Sequence, residues 1–312
     1  MPESMTRTTL RLPTELHRQL KMTAAATHTT SEAILVDALR NELGRRGARF
    51  RTITIPGEMN PLLAEIFLQS LPTFALIKDR TGRIQWLNAF AEWTLEVRLA
   101  DVRLRRITDL GLTEGIQDEE INEHIRYVTQ KREARMFKEG MKLKGLGRVI
   151  IRAQRFMFEN RLGDISFVEN FIKDDWYPTV TDVLRRMEHT TIHQEISDLL
   201  VPFLETAPIA IAIKRPLAQN SVVIWGNTTY LELVKKSRTE TFGHTTTQIL
   251  GIQQSHPIIA REMEVMDQGR VRMSKEHFHE HERWSLRFPI FDEKGTIALL
   301  GVISPNFKQS DS

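Results

Sequence analysis

The sequence predicts an α+β chain in three parts: a small N-terminal strand–helix–helix module, then two copies of a unit built on five antiparallel strands. Three observations predict it. The first is a split in charge. The chain has 312 residues and a formal net charge of +3. Residues 1–51 hold nine Lys/Arg against five Asp/Glu, and the remainder holds 34 against 35. All the excess positive charge therefore lies in the first sixth, which suggests an acidic partner for that end, or else a solvated basic helix. The second is a change from alternating to helical apolar spacing within residues 5–46. The third is an internal repeat: Leu71–Leu95 (LPTFALIKDRTGRIQWLNAFAEWTL) returns at Ala207–Leu233 (APIAIAIKRPLAQNSVVIWGNTTYLEL).

Composition narrows the function classes. At 41% hydrophobic and 27% charged, the chain is ordinary for a soluble globular protein of about two or more domains. No apolar run approaches the ~18–20 residues of a membrane span, and the N-terminus lacks the apolar core of a secretory signal. There is no cysteine. Disulfides, a thiol nucleophile, thiolate zinc, iron–sulfur sites and cysteinyl flavin photochemistry are excluded. A cytoplasmic protein with no membrane partner is expected.

The N-terminal module begins with TRTTLRL at Thr6–Leu12, where Leu10 and Leu12 face one way and Arg7, Thr9 and Arg11 the other. Pro13 ends the strand because it cannot donate to a ladder. Thr14 caps a helix with Leu16, Leu20 and Ala24 on one face. Thr29 and Glu32 have capping-box spacing, and the helix they open buries Ile34, Leu35, Ala38, Leu39 and Leu43 before Gly44 and Gly47. About 40 residues with one unpaired strand cannot bury a core alone, so a dimer with paired strands is expected. The stretch TLRLP, ELHRQLKMTAAA and TTSEAILVDALRNEL resembles the ribbon-helix-helix family of DNA-binding proteins. The resemblance implies a two-stranded ribbon in the major groove of double-stranded DNA, with Arg7, Thr9 and Arg11 reading bases. It also implies that Thr30 and Ser31 hold phosphate at a helix N-terminus, with Arg45 and Arg46 adding phosphate contacts. A plain dimerisation module, or an antitoxin-type dimer, is the alternative.

Residues 47–60 read as a linker, with a short strand at Arg51–Ile55. In the repeat, Pro72 answers Pro208, FALIK answers AIAIK, and Trp86-x-Asn88 answers Trp225-x-Asn227. Each copy continues with a helix from the Asn, further short helices, and a longer helix (Glu119–Arg132; Pro257–Gln268). Three strands follow: Ala134–Leu143, Arg148–Glu159 and Gly163–Ile172 in the first copy. In the second they are Arg270–His279, Arg283–Asp292 and Gly295–Ser304. This order resembles the PAS fold, twice, over 61–173 and 205–305. Between the copies, 176–204 carries an amphipathic helix from Val180, able to pair with its mate in a dimer or to pack on its own domain. Residues 306–312 are expected to be a flexible tail.

The PAS resemblance implies a sensor or dimerisation module whose cofactor is unknown: none, haem or a small metabolite. His124 on the long helix is the candidate haem ligand in the first copy, and His256 just precedes the corresponding helix. Trp86 and Trp225 are candidate pocket residues, with core packing as the other role. His277, His279 and His281 alternate along HFHEHE. Strand neighbours ~7 Å apart could share a metal, but the outer pair, ~13 Å apart, could not, and no metal site is assigned. No Walker loop, dinucleotide fingerprint, zincin motif or serine elbow occurs, so no enzyme is expected. The sequence points to a dimeric DNA-binding transcriptional regulator whose PAS-like domains sense a signal, mediate dimerisation or engage a protein partner. A DNA-associated scaffold or plasmid-transfer or partition accessory is one alternative, and a haem or metal redox sensor is another.

Overall fold

The computed structural model describes residues 56–111, 118–143, 147–168, 194–278, 281–291 and 297–305, all within one compact unit, Ile53–Ser312. The strand–helix–helix module, the strand expected at Arg51–Ile55, the first part of the connecting helix and the tail at 306–312 lie outside the described residues.

Asn60 and Pro61 start a helix, α1 (Pro61–Ser70). The Asn60 side chain accepts the Leu63 amide at 2.9 Å, and Pro61 stands where an amide proton would go unbonded. Leu71, held extended ahead of Pro72, ends it. The sequence marks this stretch only as the start of a domain, with no helix expected there. There follow β1 (Phe74–Lys78), β2 (Ile84–Leu87), α2 (Ala89–Leu95), α3 (Leu99–Val102), a 3-10 turn at Thr108–Leu110 and α4 (Asp118–Lys131). A meander of β3 (Arg135–Leu143), β4 (Gly147–Phe158) and β5 (Arg161–Val168) closes the unit. The antiparallel sheet has the order β2-β1-β5-β4-β3, so the last strand lies beside the first.

The second half repeats this. It has α5 (Gln194–Thr206), β6 (Ala210–Leu217), β7 (Asn220–Gly226), α6 (Thr228–Val234), α7 (Arg238–Thr241), α8 (Thr246–Leu250) and α9 (Ile252–Gln268). Strands β8 (Arg272–Phe278), β9 (His281–Phe291) and β10 (Ile297–Ser304) complete it, with sheet order β7-β6-β10-β9-β8. Three details differ from the sequence reading. Helix α9 starts at Ile252, so Pro257 and His256 lie inside it, and Pro257 costs one helical bond rather than opening the helix. The connecting helix runs to Thr206, past the expected end at 204. The HFHEHE run is not one strand: β8 ends at Phe278, which pairs with His281 of β9, so His277 and His281 lie on different strands.

On each sheet one face meets the helices of its own unit. In the first, Phe74, Leu76, Ile84, Leu87, Met141 and Ile151 pack against Phe90, Leu95 and Val102. In the second, Ala210, Ala212, Val223, Leu300 and Val302 pack against Tyr230, Leu233, Val234, Ile258 and Val265. The opposite faces meet the other half. Helix α1 packs on α5 and on β9, while α5 packs on β4. Phe67 of α1 lies against Phe288 of the second sheet, ring centroids 5.3 Å apart, and Phe203 of α5 lies 5.2 Å from Phe156 of the first. Each half therefore lends its leading helix to its partner's sheet. Across the ladder from these phenylalanines stand glycines: Phe156 faces Gly163 and Phe288 faces Gly301. A Cβ on Gly163 would come within 2.6 Å of the Phe156 ring, and one on Gly301 within 2.2 Å of Phe288, so only glycine admits the ring.

One residue ties each leading helix to its own sheet. The fully buried Asn88 side chain donates to the carbonyls of Leu68, Leu71 and Thr73, and accepts the amides of Ala75 and Ala91. Asn227 repeats all five bonds, donating to Leu204, Ala207 and Ile209 and accepting from Ile211 and Tyr230. The Asn of the Trp-x-Asn repeat is thus a knot between helix end, strand start and the next helix cap.

Candidate functional site

β1 alternates Phe74, Leu76 and Lys78 on its helix-facing side, so the strand's period puts a lysine in the apolar interior. A charged side chain there needs a partner. Lys78 donates to Asp164 of β5 at 2.8 Å, with side-chain exposures of 1% and 3%. Asp164 also accepts Arg155 Nε of β4 at 3.2 Å and the Ser166 hydroxyl. Arg155 closes a fork on Glu139 of β3, one arm at 2.8 Å, and Glu139 meets His124 Nδ1 of α4 at 2.8 Å. A line of charge thus crosses the inner face of the sheet, β1 to β3, and ends on a histidine at the rim.

Burial alone would raise the Asp164 carboxyl. The adjacent Lys78 and Arg155 charges and their hydrogen bonds override it and hold the acid well below the usual carboxylate range. Glu139 behaves alike: burial opposes ionisation, but Arg155 and the His124 hydrogen bond bring it down to about 2. Arg155 is pushed upward, the Asp164 and Glu139 charges outweighing burial. The two cations and two carboxylates sum to zero. The line borders a cleft lined by Lys78, Glu139, Arg155, Asp164 and Ser166 together with Leu76, Ile107, Ile121, Met141 and Ile151. It holds about 370 Å³ counting its open mouth, and the enclosed part has room for about one water.

The second half has the same lysine and arginine but a different acid. Lys214 of β6 pairs with Glu262, which comes from helix α9 and is 0% exposed. Ser221 also donates to Glu262, and Lys214 reaches the Thr246 hydroxyl at 3.0 Å. Arg287 of β9 forks onto Glu276 of β8, one arm at 2.7 Å, and lies 3.9 Å from Glu262. Tyr230 packs into this chamber, where burial, and after it the Glu262 charge, raises its phenol.

His124 stacks on Phe137 at 4.0 Å and is held by Glu139. The Nδ1 bond to Glu139 leaves Nε2 for a ligand, but a cleft whose enclosed part has room for about one water does not fit a haem. His256 is exposed on α9. Trp86 and Trp225 are fully buried beside Ile77 and Ile213, on the opposite faces of the two sheets from the chambers. They do not border the cleft, and among the described residues neither indole N–H has an acceptor. No group of three or more His, Asp or Glu among the described residues is placed to hold a metal, and no described helix is long and apolar enough to cross a membrane. Arg7, Thr9, Arg11, Thr30, Ser31, Arg45 and Arg46 lie outside the described residues. The charged line was missed by sequence reasoning, although its signal was present: the lysine closing both FALIK and AIAIK falls in register with the inward apolar residues.

Both halves have the same α+β architecture, a five-stranded antiparallel sheet in which the last strand lies beside the first. No family model matches the chain, and no curated protein matches it. Among solved structures it is similar to the PAS domain of the Cronobacter turicensis RpfR quorum-sensing receptor in complex with BDSF. That match is 14% identical with a TM-score of 0.30, over 32% of this chain and 96% of that one. The PAS domain of an HTR-like protein from Haloarcula marismortui matches at 18% identity and a TM-score of 0.28, over 33% and 92%. An RNA-binding light-oxygen-voltage receptor matches at 8% identity and a TM-score of 0.28, over 75% of this chain and 93% of that one.

Proposed function

We propose that the chain is a cytoplasmic DNA-binding transcriptional regulator, without catalysis of its own. In this reading residues 5–46 join two chains and read a duplex through Arg7, Thr9 and Arg11, and the PAS-like pair supplies the regulatory input. The observation that supports it most is the exchange of leading helices. It makes the two PAS-like halves one mechanical body inside a single chain, which leaves chain-to-chain pairing to the basic N-terminal segment.

The entry to that body gives the reading a route. Gly57 donates its amide to Ile224 of β7 at 2.7 Å, so the chain touches the second half before α1 begins. A change in how the halves sit together would reach residues 56–61, at the end of the linker that follows the DNA-reading segment in sequence. A signal produces such a change only if it favours one arrangement over the other.

The test is selection of bound sequences from a random duplex pool by the full chain, with single-stranded RNA as competitor. A recurrent motif with two-fold symmetry, lost in Arg7→Ala/Arg11→Ala, is expected. Recovery of no motif, unchanged selection by the variant, or preference for the RNA overturns the reading.

A further inference from the structure

The two chambers differ at positions that the structure equates. The isolated bridge Arg83–Arg106 in the first half answers Val222–Thr245 in the second, which places Gly82 opposite Ser221 and Ile107 opposite Thr246. The long helices end alike: Arg132, at positive φ, bonds back to Val128, and Gly269, also at positive φ, bonds back to Val265. That register places Ile125 opposite Glu262. The strand ladders put Asp164 opposite Val302, since Arg155 faces Asp164 where Arg287 faces Val302.

In the second half Thr246 and Glu262 accept protons from Lys214, and Ser221 bonds both of those acceptors. In the first half the same three positions are Gly82, Ile107 and Ile125. Ile125 closes over Gly82, where a Cβ would lie 2.7 Å from its Cδ1. Lys78 keeps one acceptor among the described residues, Asp164, although its side chain is only 1% exposed and its ammonium carries three protons. Lys78 lines the cleft together with Ile107, Ile121, Met141 and Ile151.

We infer that the halves divide their labour: the second chamber is closed by its own side chains, and the first takes a small, neutral ligand whose acceptor oxygen occupies the enclosed recess and bonds Lys78 while its apolar body lies in the open mouth of the cleft. Neutrality follows from the charge count. Two cations already face two carboxylates, so an entering carboxylate or amine would leave one buried charge uncompensated. The apolar body follows from the three replaced positions, and the oxygen from the unspent ammonium protons. This inference rests on the sensing part of the proposed function and not on DNA binding.

The experiment titrates the full chain, labelled at isoleucine and methionine methyls, with hexan-2-one, hexanoate and hexylamine in turn. Hexan-2-one is expected to give saturable shifts at Ile107, Ile121, Met141 and Ile151 and none at Ile249 or Ile258, with the two charged probes roughly tenfold weaker or worse. Lys78→Met/Asp164→Val, which keeps the chamber neutral and carries the second half's valine, should bind the ketone roughly tenfold more weakly while retaining the methyl spectrum of a folded chain. Absence of saturable shifts, equal shifts in both chambers, hexanoate binding as tightly as the ketone, or unchanged binding in the folded double variant overturns the inference. Duplex binding is measured on the same sample. Ketone binding without duplex binding sinks the regulator reading alone, and the reverse sinks this inference alone.

Discussion

Phe67 and Phe288 belong to different halves of the chain, yet their rings meet 5.3 Å apart, and Phe203 and Phe156 repeat the contact in the opposite sense. Removing either inserted ring opens a cavity between halves rather than within one. Phe67→Ala and Phe203→Ala should each cost about 3–5 kcal/mol. They should also split a single calorimetric unfolding transition into two. One transition, merely shifted downward, would show that the halves are not coupled through these rings.

Asn88 offers a test that ordinary helix caps do not. Asp replaces Asn at a cap with little loss, because only the accepting oxygen is used. Here the amide nitrogen also serves three buried carbonyls. Asn88→Asp would face them with a carboxylate and should cost at least ~2 kcal/mol in thermal or urea unfolding. Stability within ~0.5 kcal/mol of the parent would reduce the residue to a simple cap.

The charged line sets an acid limit. Glu139 is held at about 2 against an ordinary 4.5, and Asp164 is also lowered. A depressed folded value means the stabilisation is present above the ordinary carboxylate range and is lost as pH falls through the folded value. Far-UV and near-UV circular dichroism should therefore hold steady down to about pH 4.5 and decline toward pH 2. A transition centred above pH 5 would contradict this assignment.

Within the line, Lys78 and Asp164 should be strongly non-additive. Asp164→Val alone strands a buried ammonium and should cost about 3–5 kcal/mol. Adding Lys78→Met removes the stranded charge and should recover most of that loss, because Arg155 keeps Glu139. Additive losses in urea unfolding would mean the pair is not the coupled unit described.

The DNA-reading segment carries its own prediction. Arg11→Ala should narrow discrimination between selected and random duplexes by about 1–3 kcal/mol, measured at fixed salt. An equal weakening on both duplexes would make Arg11 a phosphate contact.

The repeat was legible because its markers are local: Pro72 and Pro208 stop helices, and Asn88 and Asn227 begin new ones. The five strands of each unit followed from the order of elements, a strand–turn–strand, then helices, then three closing strands. The exchange of leading helices was not legible, since residues 61–70 read in sequence only as the start of a domain, with no helix assigned. Nothing local says which sheet an apolar face will meet. The tryptophans misled as pocket candidates for a related reason. Register shifts at Ile77/Lys78 and Ile213/Lys214 accompany the pairing that sets Trp86 and Trp225 beside the outward isoleucines. The chamber acids hid differently, because Asp164 and Glu262 do the same job from non-equivalent positions and no aligned repeat would pair them.

The central claim is that the PAS-like halves pair within one chain. Phenylalanine-labelled chain, diluted stepwise with unlabelled chain after joint refolding, tests it through the ring-to-ring Overhauser effect between Phe67 and Phe288. Pairing within a chain predicts that the cross-peak, scaled to the labelled fraction, stays constant on dilution. A scaled cross-peak that falls with dilution would mean that the helix is lent between chains, and the account would be wrong.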